Sequence, residues 1–126
     1  MRVVDTSAWI EWIAESAVGN VVRAHFPGVG EWVVPTIVQL ELLKWTMRVL
    51  EPSRSDEIFG LTQTMVVVPL TTPIAAAAAK FALAHQLPTA DAIIYATARE
   101  MNSDLLTCDG HFEGLDGVIY VPKMPA

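Results

Sequence analysis

Short apolar runs alternate with helical patterns along the whole chain, and this alternation constrains the fold more than any other feature. Strands are predicted at residues 2–4, 32–34, 65–68, 104–107 and 118–121, and helices at residues 7–14, 18–26, 36–51, 53–64, 72–85 and 89–101. The runs 66–68 and 105–106 lack polar alternation, as expected of strands that are buried on both faces. The sequence therefore predicts an α/β fold in which helices cover a central, mostly parallel sheet.

The predicted helix 36–51 carries apolar residues at helical spacing, at Leu40, Leu43, Met47 and Leu50. We expect this stripe to face the core. Hydroxyl residues near three predicted helix starts are candidate N-caps. They are Thr36, then Ser53 or Ser55, and Thr89.

The length of 126 residues predicts a single domain, residues 1–126. Hydrophobic residues make up 52% of the chain, which is enough for a full core and leaves a surplus for an oligomer or partner surface. No apolar run is long enough to cross a membrane. The single cysteine, Cys108, excludes an internal disulfide and fits a cytoplasmic protein. Residues 122–126 are expected to form a loose tail.

Four acidic residues stand where a polypeptide rarely places a charge: Asp5, Glu41, Asp91 and Asp109. Asp5 and Asp109 follow predicted strands, so both should emerge at the carboxyl edge of the sheet, where sites in open α/β sheets lie. Converging buried carboxylates are costly unless a cation neutralises them. Oxygen ligands alone favour Mg²⁺ or Mn²⁺, and these ions point to phosphodiester chemistry.

Each of these acids also has a structural explanation when it is taken alone. Asp5 could serve as a turn or capping residue after a strand, and the Glu41 side chain could extend to solvent. Asp91 suits the positive end of a helix dipole, and Asp109 stands in a common Asp-Gly turn. The metal hypothesis therefore depends on all four together. Asp104 precedes its strand and is expected at the opposite edge.

The formal net charge of −6 by itself argues against a polyanionic partner. Without the four acids, 10 acidic residues remain against 8 basic ones, which leaves only −2. The net charge therefore neither excludes nor supports nucleic acid as a substrate.

The order and spacing of these acids resemble those of a PIN domain over the whole chain. Four segments carry the resemblance: Asp5-Thr6-Ser7 after the first strand, Glu41-Leu42-Leu43 in a helix, Asp91-Ala92 at a helix start, and the run Leu105-Leu106-Thr107-Cys108-Asp109-Gly110-His111-Phe112. A stand-alone PIN domain of this size looks like the VapC-type toxin of a bacterial toxin–antitoxin module.

This resemblance implies a PIN-like three-layer α/β/α sandwich. It also implies an endoribonuclease that depends on Mg²⁺ or Mn²⁺, a cognate antitoxin partner, an RNA substrate and a homodimer. The acids that fall on the family's catalytic and metal-binding positions are Asp5, Glu41, Asp91 and Asp109. Ser7 falls on the residue that supports the first aspartate, and Thr107 on the threonine before the last one.

In one respect the chain departs from the family pattern. Many such toxins carry another acid shortly after the last aspartate, where Gly110 and His111 stand here. The number of bound ions, one or two, is therefore open. His111 itself is interpreted as a turn residue.

Three basic residues are candidate RNA contacts, with ordinary solvated surface as the alternative. Lys44 and Arg48 follow Glu41 on its helix, and Arg99 lies two turns after Asp91. Trp9 and Trp12 lie at helical spacing and are expected to pack a dimer or antitoxin surface, with base stacking as the weaker alternative.

Three other functions fit the sequence less well. A haloacid-dehalogenase-type phosphatase needs a second aspartate where Ser7 stands, and a response-regulator receiver needs an aspartate where Pro69-Leu70 follows a strand. The remaining alternative is a catalytically silent PIN-like module that binds RNA or protein.

Overall fold

Five strands form a single parallel sheet in the computed structural model, which describes residues 1–123. The strands are β1 (Arg2–Val4), β2 (Trp32–Pro35), β3 (Val66–Val68), β4 (Asp104–Thr107) and β5 (Val118–Tyr120), in the order β3-β2-β1-β4-β5. All four strand pairings are parallel. The chain first moves outward from β1 to β3 and then returns to the other side of β1. The sheet therefore has a topological switch point between β1 and β4.

Within residues 1–123, six helices cover the sheet and complete an α/β/α sandwich. They are α1 (Thr6–Ile13), α2 (Ala17–Arg23), α3 (Thr36–Val49), α4 (Pro52–Gln63), α5 (Thr72–His85) and α6 (Thr89–Glu100). The α1–α2, α3–α4 and α5–α6 pairs pack together. The predicted fold class is confirmed.

The two central strands are the most deeply buried part of the sheet. Val3 and Val4 of β1, and Leu105 and Leu106 of β4, are at most 1% exposed. Burying each such side chain stabilises the fold by about 1.5–3 kcal/mol. The register pairs Val4 with Leu106, so the residues that follow these strands leave the sheet side by side.

The strand β3 differs from the expectation of burial on both faces. It lies at the edge of the sheet, where Val66 is exposed and Val67 and Val68 are half-buried. Its valines fit an edge strand equally well, because a β-branched residue needs only one packed face.

The predicted core stripe of α3 is wrong in part, since Leu50 packs against the core but Leu40 and Met47 do not. Leu40 and Met47 are 59% and 68% exposed, whereas Val38, Leu42 and Thr46 form the buried face. The predicted residues and the buried residues are both spaced at helical intervals. The buried face could not be recognised from sequence because it contains the polar residue Thr46. Thr46 tolerates burial because its hydroxyl pairs with Ser55 at 2.8 Å.

The predicted caps also differ from those observed. Helices α3 and α6 begin at Thr36 and Thr89 themselves, with a proline at each N-cap. Glu51 precedes α4, so neither Ser53 nor Ser55 caps it. The prolines fix the extended backbone that precedes each helix, without a side-chain acceptor.

Among residues 1–123, no helix is long and apolar enough to span a membrane. Residues 124–126 of the predicted loose tail lie outside the part of the chain that the structure describes.

Candidate metal centre

The candidate site lies at the carboxyl ends of β1 and β4, beside the switch point of the sheet. Asp5 directly follows β1, and its amide donates to the carbonyl of Leu106 at 2.8 Å. Asp109 follows β4 by two residues. The parallel register thus brings together two acids that are 104 positions apart in sequence, as the sequence predicts.

Two hydroxyl groups hold the carboxylate of Asp5. Ser7 donates to Oδ2 at 2.6 Å, and Thr107 donates to the same oxygen at 2.8 Å. Asp5 itself is only 4% exposed. Both donors bond to Oδ2, and none of the described residues donates a hydrogen bond to Oδ1. Oδ1 is therefore available to a ligand.

The same hydroxyl oxygens also accept backbone amides after β4. The Cys108 amide donates to Ser7 Oγ at 3.0 Å, and the Asp109 amide donates to Thr107 Oγ1 at 2.9 Å. Each hydroxyl therefore links the Asp5 carboxylate to the segment that carries Asp109. This fits the supporting role expected of Ser7 and Thr107.

The third acid, Asp91, lies in the first turn of α6 and meets His111. Nδ1 of His111 lies 2.9 Å from Oδ2 of Asp91 and 3.1 Å from Oδ1 of Asp109. The imidazole thus stands between the two carboxylates.

A short 3₁₀ turn, Gly110–Phe112, positions His111. Oδ1 of Asp109 accepts the His111 amide at 2.9 Å, and Phe112 is fully buried. Asp109 before His111 and Phe112 after it therefore hold the turn in place. The His111 side chain itself is 58% exposed.

Glu41 lies on α3 and is held by a residue of α1. Thr6 Oγ1 donates to Glu41 Oε1 at 2.8 Å. Thr6 is the first residue of α1 and follows Asp5 directly in sequence. Its hydrogen bond therefore holds the half-buried carboxylate of Glu41 near Asp5.

Mutual repulsion and burial shape the protonation of the site. Burial is the main cause that raises the pKa of Asp5; the Ser7 and Thr107 hydrogen bonds oppose it, and the charges of Glu41 and Asp109 add to it. Burial, followed by the charges of Asp109 and Asp5, raises the pKa of Asp91 from 3.8 to about 6. The charges of Asp109, and then contact with Asp91, raise the pKa of His111. These directions indicate a concentrated negative field, which a cation would relieve.

Ligand atoms of Asp91, Asp109 and His111 all lie within 4.8 Å of one another, close enough to share one metal ion. Neither Asp5 nor Glu41 joins such a group within residues 1–123. Two carboxylates and one imidazole suit a divalent cation, and the charge of Asp5 adds to the negative field at Asp91. The donor set therefore fits a metal.

The three candidate RNA contacts lie in two different places on the structure. Lys44 and Arg48 are exposed on α3, the helix that carries Glu41. Arg99 instead lies in the last turn of α6, where it donates to the carbonyl of Asp116 at 3.3 Å just before β5. Eight residues of helix span about 12 Å. Arg99 therefore lies at the opposite edge of the sheet, which favours the alternative of ordinary solvated surface for this residue.

The tryptophans also differ from the expectation of a paired surface. Trp9 is fully buried, with its ring against Trp12 and Trp32. Trp12 is half-buried and lines a surface cleft of about 290 Å³ together with Phe26 and Trp32.

Two site residues were not predicted from the sequence. Thr6 belongs to the segment Asp5-Thr6-Ser7, but no role was predicted for it. His111 was interpreted as a turn residue. The one sequence signal for His111 is that it stands where many such toxins carry an acid.

Comparison with known proteins is consistent with this geometry. The sequence model of the PIN domain family matches residues 2–118. No curated protein sequence matches the chain at a significant level.

Several solved structures share the fold at low sequence identity. A toxin–antitoxin complex from Klebsiella pneumoniae superposes with a TM-score of 0.85 at 18% identity, covering 98% of this chain and 100% of that one. VapC20 from Mycobacterium tuberculosis, described as a sarcin–ricin loop cleaving toxin, superposes with a TM-score of 0.73 at 20% identity, covering 97% and 100%. DNA-bound VapBC from Salmonella typhimurium gives 0.72 at 15% identity, covering 94% and 95%.

Proposed function

The chain belongs to the PIN domain family, and on that basis we propose that it is a metal-dependent endoribonuclease that hydrolyses RNA phosphodiester bonds. The observation that carries this proposal is the convergence of Asp91 and Asp109, with His111 between them, at the switch point where Asp5 is also held. We further propose that the enzyme is the toxin of a toxin–antitoxin pair and acts in the cytoplasm.

A bound Mg²⁺ or Mn²⁺ would supply charge stabilisation on the phosphoryl oxygens and a more acidic water. The residues proposed to hold it are Asp5, Glu41, Asp91 and Asp109. In Asp5, Glu41 and Asp109, one oxygen accepts a hydrogen bond from a protein donor, and in Asp91 one oxygen contacts Nδ1 of His111. The other oxygen of each carboxylate receives no hydrogen bond from the described residues. Every acid thus combines a fixed orientation with a free oxygen.

Ser7 and Thr107 are positioning residues in this proposal. Their hydrogen bonds to Oδ2 fix the rotamer of Asp5, so that Oδ1 keeps one direction. A metal site whose ligands are held in this way loses less conformational entropy when the ion binds.

The substrate would meet positive charge on α3. Lys44 and Arg48 are exposed and, within the described residues, form no ion pair, so both are free to contact phosphates. RNA is the proposed substrate class. This assignment is supported by the fold shared with VapC20, which is described as cleaving the sarcin–ricin loop.

The proposed antitoxin site is the aromatic cleft beside α1. Trp12, Phe26, Trp32, Leu61 and Met65 line it, and a second cleft of about 340 Å³ with Arg23 adjoins it at Trp12. An apolar helix that also carries an acidic residue would fit both clefts. The structures of toxin–antitoxin complexes with this fold support this partner class.

A homodimer is proposed through the exposed stripe of α3. Leu40 and Met47 lie two turns apart on one exposed face, and Leu43 lies between them. Apolar residues that repeat at helical spacing without a covering element favour a partner helix, and a second copy supplies one by two-fold symmetry.

Cleavage of RNA by purified protein tests the proposed function. We expect cleavage with Mg²⁺ or Mn²⁺, none with EDTA, and recovery when metal is returned in excess. Cleavage that resists EDTA would contradict metal dependence. Binding of RNA without cleavage, with metal present, would identify a catalytically silent module instead.

A further inference from the structure

We infer that His111 is a nitrogen ligand of the metal, which it binds through Nδ1 together with Asp91 and Asp109, and that this donor makes the site prefer Mn²⁺ to Mg²⁺. The inference rests on the proposed function, because it assigns a ligand and a metal preference to that same site.

The distances around Nδ1 are those of metal ligands on adjacent corners of a coordination shell. Nδ1 lies 2.9 Å from Asp91 Oδ2 and 3.1 Å from Asp109 Oδ1. Ligands that bind a small divalent ion at right angles, about 2.0–2.2 Å from it, lie about 2.8–3.1 Å apart. These lengths also suit hydrogen bonds, so an ion bound by these three atoms would replace the contacts that now join Nδ1 to the two carboxylates.

The surroundings of His111 fix it in this place by contacts that do not involve the metal. Its amide donates to Asp109 Oδ1 at 2.9 Å, and the neighbouring Phe112 is fully buried. The imidazole is 58% exposed, so a hydrated ion reaches it from solvent. A metal ligand must be deprotonated, so a proton carried on Nδ1 would be released to solvent when an ion is bound.

The metal preference follows from the chemistry of imidazole. Mg²⁺ is bound mainly by carboxylates and water and dehydrates reluctantly, whereas first-row transition ions accept imidazole nitrogen readily. A site of carboxylates alone discriminates weakly between Mg²⁺ and Mn²⁺. The addition of one nitrogen donor shifts the balance toward Mn²⁺.

Pulsed electron paramagnetic resonance of the Mn²⁺-loaded protein tests the assignment directly, because coordinated imidazole gives a deep ¹⁴N modulation of the Mn²⁺ echo. We expect this modulation in the wild type, and we expect it to change to the ¹⁵N pattern when only histidine is ¹⁵N-labelled. It should disappear in His111→Gln and persist in His85→Gln, a matched control on the exposed end of α5. The labelling experiment needs no variant, so the test holds even if His111→Gln folds poorly.

Calorimetric titration gives a second readout. The dissociation constant for Mn²⁺ should rise at least about tenfold in His111→Gln, which is the smallest loss expected even for an outer-shell partner, while that for Mg²⁺ changes much less. Equal weakening of both ions would overturn the preference for Mn²⁺.

The outcomes separate this inference from the proposed function. Mn²⁺ that binds without a histidine signal, with cleavage still dependent on metal, would overturn the ligand assignment and leave the nuclease proposal intact. A wild type that neither binds Mn²⁺ nor cleaves RNA would overturn both.

Discussion

Thr107, the last residue of β4, donates a 2.8 Å hydrogen bond to Asp5, the first residue after β1. The same hydroxyl accepts the Asp109 amide at 2.9 Å. One side chain therefore ties together the two strands and the two acids that meet at the switch point of the sheet.

Replacing Thr107 with valine removes this hydroxyl at nearly constant volume. The Asp109 amide loses its acceptor and Asp5 loses a donor, so we expect the free energy of unfolding to fall by about 1–3 kcal/mol. Metal affinity should fall about 10–100-fold, because an orienting partner of a ligand is lost. Urea unfolding and calorimetry measure the two effects. Thr107→Ser keeps the hydroxyl and is the control; equal loss in both variants would mean that packing, not the hydrogen bond, is responsible.

Without metal, the protein should lose stability as the pH rises. The folded protein holds a proton on Asp91, with a pKa of about 6, that the unfolded chain releases near 3.8. This contribution is complete below pH 3.8 and is lost as the pH rises through about 6. Burial raises the pKa of Asp5 as well, so its contribution has the same sign.

The measurement is thermal unfolding in EDTA from pH 4 to 8 for the wild type and Asp91→Asn. We expect the variant to gain relative stability with rising pH, because it cannot acquire the unfavourable charge. At neutral pH, Mn²⁺ at a hundredfold excess over the dissociation constant should stabilise the wild type by about 2.7 kcal/mol. The variant should gain less. Parallel pH profiles for the two proteins would contradict the assignment of Asp91 to a repulsive cluster.

Much of this architecture could be predicted from sequence because apolar runs mark buried strands. Asp5 and Asp109 could be placed together because parallel strands end at one edge of a sheet. The orientation of α3 could not, since both Leu40 and Leu42 belong to helical repeats and only packing against the sheet selects one face. His111 meets Asp91 across 20 positions, and no local pattern records such a contact.

Leu61→Asp should break antitoxin binding without loss of catalysis. Leu61 is 40% exposed and lines the aromatic cleft. A carboxylate at this position would lose its hydration when the antitoxin binds, and this loss costs binding free energy. In cells that also express the cognate antitoxin, we expect the wild type to be tolerated and the variant to be toxic. Leu83→Asp, at an 86% exposed site on α5, is the control. Rescue of both variants alike would exclude this cleft as the antitoxin site.

Met47→Asp tests the proposed dimer. Two copies of the α3 stripe facing each other would bring two introduced charges together, so we expect the variant to be monomeric at concentrations where the wild type is a dimer. Light scattering after size-exclusion chromatography measures the mass. A wild type that is monomeric at all accessible concentrations, or a variant that still dimerises, would contradict the proposed interface.

The most direct test of the account is RNA cleavage by Asp5→Asn. Asparagine keeps the shape of Asp5 and still accepts hydrogen bonds from Ser7 and Thr107, so the fold should survive, with a melting temperature in EDTA at or above that of the wild type. Asp116→Asn, which changes an exposed acid at the opposite edge of the sheet, is the control. We predict that, with Mn²⁺ or Mg²⁺ present, Asp5→Asn loses at least about 100-fold in cleavage rate, as expected when a metal-binding charge is removed, while Asp116→Asn stays close to wild type. A folded Asp5→Asn protein that cleaves RNA at the wild-type rate would contradict the central claim that this carboxylate belongs to a catalytic metal centre.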